Sequence, residues 1–328
     1  METQRTARGY WIEAPGRGAL RAVPLPASGP SDCELQALWS GISPGTERLV
    51  GLGRVPMECR EPMACRGMQG SFALPLLYGY SMVGRVVRGE HTGRTAFTMH
   101  PHQERLVVPS ANLVLVPDAV PAARATLFPN LETAWNAVHD AEVHPADRIA
   151  VIGGGAVGLL ITFALQALVG AHAVLVEVDP ARRQFAERLP WSPRVVAPET
   201  LAHNAFDCVF HATGRSEGLQ LAIDALAFEG RVLELSWYGT TPVSVRLGGR
   251  FHYHRQRIVA SQVGTVARSQ RHHGFTHRAA EVMRLLGDAR LDALLEAAIP
   301  FVELPAFFER LYRGEITSPC PLVTYSTP

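Results

Sequence analysis

The chain is poor in cysteine, has no long apolar run, and carries almost no net charge. Five Cys, an odd number and widely scattered, fit a reducing compartment better than a disulfide framework. Cys59 and Cys65 are the one close pair, and their spacing matches no common zinc pattern, so the thiols are read as unligated. No apolar stretch is long enough to span a bilayer, and METQRTARGYWIEAPG lacks the apolar core of a signal peptide. A cytoplasmic protein with no membrane contact is therefore expected. A formal net charge of +1 gives no field for nucleic acid. What remains is an ordinary globular balance, 47% hydrophobic and 19% charged, in 328 residues, enough for about two domains.

Residues 1–120 read as short strands broken by Gly and Pro: GYWIEAPGRGALRAVPLP, then CELQALWSGI running into a loop at SPGTER, then YGYSMVGRVVRG, GRTAFTMH and ERLVVP. Residues 50–73 are irregular. This texture predicts a partly closed β-barrel. From residue 121 the pattern changes. PAARATLFPNLETAWNAVHDAEV has helical spacing. The strands RIAVIG, AVLVEV, DCVFHA and RVLELS then alternate with the helices AVGLLITFALQALV, PARRQFAERL and SEGLQLAIDALAF, as in a doubly wound parallel sheet. After residue 265, HRAAEVMRLLGDARLDALL reads as a further helix.

RIAVIGGGAVGLL is the most informative stretch. Gly153, Gly155 and Gly158 form a Gly-x-Gly-x-x-Gly that follows a buried strand and opens a helix. Gly153 allows the tight turn, Gly155 the approach of a pyrophosphate, and Gly158 close helix–strand packing. Ala156 and Val157 open the helix, whose free N–H groups attract phosphate. Glu177 stands 19 residues beyond Gly158, at the end of the next strand, where a carboxylate can bond both ribose hydroxyls of an adenosine. It would repel a 2′-phosphate, which favours NAD; the nearby Arg182 and Arg183 keep NADP open. Asp179 is the alternative acid, with helix capping as its usual role. Thr213, Gly214, Ser236 and Trp237 fall at strand C-termini, where ligands of open α/β sheets bind.

With these motifs placed, the whole chain resembles the medium-chain dehydrogenase/reductase (alcohol dehydrogenase-like) family. LWSGISPGTE, YGYSMVGRV, RLVVPSANLVLVPD, TAWNAV, DRIAVIGGGAVGLL and FVELPAFFERL carry the resemblance. It implies a GroES-like β-barrel catalytic domain over 1–120, a Rossmann nucleotide-binding domain over 121–264, and a segment 265–328 returning to the barrel. It also implies a homodimer associating through the nucleotide domain, and a small-molecule substrate. SGISPGTERL is also similar to bacteriochlorophyllide hydroxyethyl dehydrogenases.

Against that family's zinc pattern the chain departs at every ligand position. Ser43 or Pro44 stands at the Cys, Tyr80 at the His, Ser81 at the Glu beside it, and the third ligand region, TLFPNLETAW, offers Glu132. Hydroxyls are poor zinc ligands, and the Cys-rich structural lobe is absent. The resemblance thus implies a zinc-independent member, with no metal expected.

Hydride transfer without zinc needs another way to move a proton at the substrate oxygen. Tyr80 is a phenol that either bonds that oxygen or fills the space of the metal. Thr46 is either a proton relay or a turn residue. Glu47 orients Thr46 or pairs with Arg48. Glu132 is a general base, if its pocket is dry, or a helix-start capping group. His100 and His102, two apart, share one face if extended; His102 is the candidate relay. FHYHRQR, with His252 and His254, reads as a solvated loop. The resulting expectation is an NAD-dependent, zinc-independent oxidoreductase interconverting a secondary alcohol and a carbonyl in a cleft between two domains. An NADPH-dependent enone or quinone reductase and a catalytically inactive nucleotide-binding homologue are the alternatives.

Overall fold

The computed structural model describes residues 5–325. One compact unit holds the chain up to Pro129 and again from Leu286; the other holds Asn130–Leu285.

The first unit opens with the hairpin β1 (Thr6–Ala14) and β2 (Arg17–Pro24), followed by β3 (Asp32–Gly41). The loop expected at SPGTER is instead helix α1 (Pro44–Gly51). Ser43 is its N-cap residue, Pro44 sits in the first turn where no N–H is needed, and Glu47 reaches back to accept the Ser43 N–H at 2.8 Å. The irregular stretch follows, ending in β4 (Gln69–Gly70). Then come β5 (Leu76–Leu77), β6 (Met82–Arg88), β7 (Thr95–Thr98), β8 (Arg105–Pro109), β9 (Val114–Leu115) and the short α2 (Ala122–Ala125).

The second unit is a succession of strand and helix. Its elements are α3 (Phe128–Ala141), which begins just ahead of it, β10 (Ile149–Ile152), α4 (Ala156–Ala164), β11 (Ala173–Val176), α5 (Pro180–Glu187), β12 (Arg194–Val196), β13 (Phe206–His211), α6 (Ser216–Ala225), β14 (Leu226–Glu234), α7 (Arg250–Tyr253), β15 (Arg257–Ala260) and α8 (Gly274–Leu285). Beyond it, β16 (Ile299–Pro300), α9 (Leu304–Arg313) and β17 (Leu322–Thr324) rejoin the first unit.

In the first unit one sheet has the order β2-β1-β5-β4 and the other β16-β17-β3-β6-β7-β9, with β8 also on β3. A Gly9–Gln103 bridge and the Tyr10 N–H donating to the His102 carbonyl at 3.0 Å tie the sheets together. Phe308 of α9 stacks on Tyr10 at 4.4 Å between ring centroids, so the returning segment packs on β1. This is the GroES-like barrel.

The sheet of the second unit is parallel throughout, in the order β12-β11-β10-β13-β14-β15. The winding reverses between β10 and β13, the Rossmann switch point. Buried apolar residues of the strands, among them Ile152, Val176, Val209 and Val232, form one cluster with Leu219, Ala222 and Ile223 of α6. The segment 265–328, expected to return to the barrel as a whole, does so only in part: up to Leu285, with α8, it belongs to this unit, where Arg278 of α8 is anchored on α3 through Glu132 and Asn136. No described helix is long and apolar enough to cross a membrane.

Candidate active site

Gly153 has φ +111°, which a side chain would strain, and Gly158 lies so close to the turn that a Cβ there would sit 1.8 Å from the Gly153 carbonyl oxygen. Gly155 is the N-cap of α4 and has no side chain with which to cap it, so the first-turn N–H groups at Ala156 and Val157 lack a side-chain acceptor. A Cβ at Gly155 would meet nothing within 4 Å. An open, uncapped helix start of this kind fits a dinucleotide pyrophosphate.

Glu177 is 6% exposed at the end of β11. Its Oε2 accepts the Gly154 N–H at 2.7 Å and its Oε1 the Asp179 N–H at 2.9 Å. The carboxylate therefore braces the glycine loop, and each oxygen keeps a lone pair for a ribose hydroxyl. Asp179 caps α5 by accepting the Arg182 N–H at 2.9 Å. Arg183 is turned to the carbonyls of Glu177 and Val178. Thr213, Gly214 and Ser236 come together at the ends of β13 and β14, the Gly214 N–H donating to Ser236 Oγ at 3.0 Å.

In the barrel two of the positions read as departures from the zinc pattern, Ser43 and Tyr80, come together, with Thr46 beside them. Tyr80 is partly exposed, and its hydroxyl is hydrogen-bonded by the side chains of Ser43 and Thr46. Burial, and then the charge of Glu47, push the Tyr80 phenol above its ordinary range, against the effect of those two hydrogen bonds. Tyr80 therefore holds its proton. The chain contains no lysine to lower it. Beneath this group Glu47, 2% exposed, pairs with His102, 1% exposed, at 2.9 Å. His102 Nδ1 is 2.7 Å from Ser40 Oγ, which is 2.9 Å from the Tyr325 hydroxyl. Glu47 is thus the partner of His102 and not of Arg48, whose Nε donates to the Leu311 and Tyr312 carbonyls.

These residues do not fit zinc. Ser81 is buried and donates to the Thr126 carbonyl at 2.6 Å. His102 and Glu47 are engaged with each other, and burial pushes the Cys65 thiol up to about 11, so it stays protonated. His100 turns its Nδ1 to the Pro101 carbonyl at 3.1 Å and shares no ligand with His102. Among the described residues no group of three His, Cys, Asp or Glu is arranged to hold a metal ion.

Glu132 does not stand before a helix but within α3, because Pro129 is tolerated in the first turn and the helix starts at Phe128. Its Oε1 accepts from Arg278 Nε at 3.0 Å, and Arg278 is 2% exposed. A carboxylate paired with a buried guanidinium anchors α8 on α3. The FHYHRQR run overlaps α7 and leads into β15; His252, Arg255 and Arg257 are exposed, and Arg255 pairs with Glu229 at 3.2 Å. Sequence reasoning missed three groups at the nucleotide edge, His211, Glu234 and Tyr238. A His closing the apolar run DCVFH was their one signal.

No protein-family model matches the chain. It is 27% identical over 206 residues to a probable diacetyl reductase [(R)-acetoin forming] of Saccharomyces cerevisiae, covering 58% of this chain and 46% of that protein. It is 27% identical over 233 residues to the 2-desacetyl-2-hydroxyethyl bacteriochlorophyllide A dehydrogenase of Rhodobacter capsulatus, covering 66% and 68%. The chain spans about half the length, or less, of most curated relatives it matches. The structure of acetophenone reductase from Geotrichum candidum in complex with NAD superposes with a TM-score of 0.77 at 20% identity, covering 99% of this chain and 98% of that one. The chain has the two-part fold of the medium-chain dehydrogenases, a GroES-like barrel and a Rossmann unit.

Proposed function

We propose that the chain is an NAD-dependent, zinc-independent oxidoreductase that interconverts a secondary alcohol and a carbonyl. The observation that carries this reading is the hydroxyl group of Tyr80, Ser43 and Thr46 above the buried Glu47–His102 pair, at positions where the resembled family keeps its metal. The nicotinamide, when bound, supplies or takes the hydride. Gly153–Gly158 and the start of α4 hold its pyrophosphate, and Glu177 its adenosine ribose. Tyr80 keeps a proton at Oη for the substrate oxygen, and Thr46 and Ser43 exchange it. Glu47 holds the tyrosine in its protonated form, so Tyr80 gives its proton to a carbonyl oxygen as the hydride arrives and is reprotonated from water through Thr46 and Ser43; in the reverse direction the alcohol proton passes to Tyr80 Oη as the phenol's own proton leaves by the same hydroxyls. The names of two relatives, a probable diacetyl reductase and a 2-desacetyl-2-hydroxyethyl bacteriochlorophyllide A dehydrogenase, support this reading.

A homodimer and a cytoplasmic location belong to the same reading. β15 is an edge strand, and its Ile258 and Val259 are 37% and 38% exposed. Sedimentation showing only monomers would remove that part. The test of the activity is oxidation of a panel of secondary alcohols by NAD in protein freed of metal by chelation. Turnover is expected to survive chelation. Stoichiometric zinc with loss of turnover on its removal would overturn zinc independence, and binding of NADPH far tighter than NADH would overturn the choice of cofactor.

A further inference from the structure

We propose that Glu234, with His211 and Tyr238, is a positioning cluster that fixes the two loops beneath the nicotinamide half of the cofactor. The proposal rests on the nicotinamide-dependent reading above.

His211 and Glu234 are the last residues of β13 and β14 and face each other in the parallel ladder. His211 is fully buried, and its Nδ1 is 2.8 Å from Glu234 Oε2. Glu234 also accepts the Ser236 N–H at 2.7 Å and the Tyr238 O–H at 2.9 Å. On the other side of the ring, His211 Nε2 is 2.6 Å from Thr213 Oγ1. Nδ1 faces a carboxylate that can only accept, so in the neutral ring Nε2 accepts from the Thr213 hydroxyl, which itself accepts the Arg215 N–H at 3.2 Å. That leaves Nδ1 protonated and donating to Glu234. Every donor then has an acceptor, with one negative charge on Glu234. Burial alone would raise the Glu234 carboxyl, but the hydrogen bonds from His211 and from Ser236 hold it below its usual range. Residues 213–215 and 236–238 are thereby tied to one anion.

The topology says which part of the cofactor lies above. Glu177 on β11 marks the adenosine side of the switch point, and the start of α4 takes the pyrophosphate. The remaining half must run to the other side, over β13 and β14. The surface there is open: a Cβ at Gly214 would meet nothing within 4 Å. A buried, charged hydrogen-bond group costs desolvation that a purely apolar strand end would avoid. Its return is that two loops, each without helix or strand, hold one shape.

The experiment compares dissociation constants of NADH and AMP for the full chain, with Glu234→Gln and Tyr238→Phe. The glutamine offers a donor where Glu234 offers only acceptors, so one of its three donors loses its partner. Glu234→Gln is expected to weaken NADH about tenfold and to leave AMP, which engages only the adenosine side, unchanged. Tyr238→Phe moves NADH in the same direction by less. The retained AMP binding shows that the variant is folded. Equal weakening of NADH and AMP, or unchanged NADH, overturns the proposal. Wild-type protein that binds neither nucleotide overturns the cofactor reading itself, and the proposal with it.

Discussion

His102 Nε2 lies 2.9 Å from Glu47 Oε2, and the hydrogen bonds around the two buried side chains decide where the proton is. If Tyr325 donates to Ser40 and Ser40 to His102 Nδ1, the imidazole carries its proton on Nε2 and donates it to Glu47. In the reverse direction the Tyr325 proton has no acceptor among the described residues. The first direction leaves a neutral imidazole and an anionic Glu47. The first turn of α1 stabilises that anion through its dipole and the Ser43 N–H.

Replacing Glu47 by Gln removes the charge while keeping the shape. The amide cannot accept from both the Ser43 N–H and the His102 N–H without presenting a donor to one of them. The folded chain should lose about 2 kcal/mol in urea unfolding. Stability equal to wild type would show that His102 accepts at Nε2, contrary to the assigned direction.

Tyr80→Phe keeps the ring and removes the hydroxyl. Turnover should fall about a hundredfold or more, with the thermal midpoint unmoved because the ring keeps its packing. Unchanged turnover would leave Tyr80 only the role of filling space.

The nucleotide half of the fold was legible because its signals are local: three glycines, a buried strand before them and a helix after them within one short stretch. The barrel site was not legible in the same way. Its members Ser40, Glu47, Tyr80, His102 and Tyr325 are up to 285 residues apart, as in the Ser40–Tyr325 bond, and no spacing rule joins them. SPGTER was misread as a loop because Pro and Gly outweighed the N-cap pattern in so short a segment. The strand β15 was missed because all four of its residues are exposed, which leaves no alternation to read.

Gly158→Ala tests the fingerprint directly. A methyl 1.8 Å from the Gly153 oxygen cannot be accommodated without moving α4 from β10. NADH affinity should fall at least about tenfold and stability by about 1–3 kcal/mol. Wild-type affinity would show that this turn does not receive the cofactor.

Glu132→Gln separates an anchor from a general base. Arg278 bonds Glu132, Asn136 and the carbonyls of Val263 and Thr265, so the side chain joins α8 to α3. Burial raises the Glu132 carboxyl, with Arg278 opposing. The glutamine should cost about 1–3 kcal/mol of stability and leave the pH profile of turnover unchanged. Loss of its acidic limb would return Glu132 to the chemistry.

His100 gives the fold a sensitivity to acid. It is 6% exposed, and burial lowers its imidazole from 6.5 to about 4. The unfolded chain therefore binds a proton through a range of pH in which the folded chain does not. Stability is complete above the unfolded value and is lost as pH falls from about 6.5 toward about 4. Between pH 7 and pH 5 this one residue should remove about 2 kcal/mol. His100→Gln cannot take up that proton, so its stability should fall less over the same interval, by that difference, in paired urea titrations. Parallel losses in the two proteins would mean that His100 is protonated in the folded chain as readily as in the unfolded one.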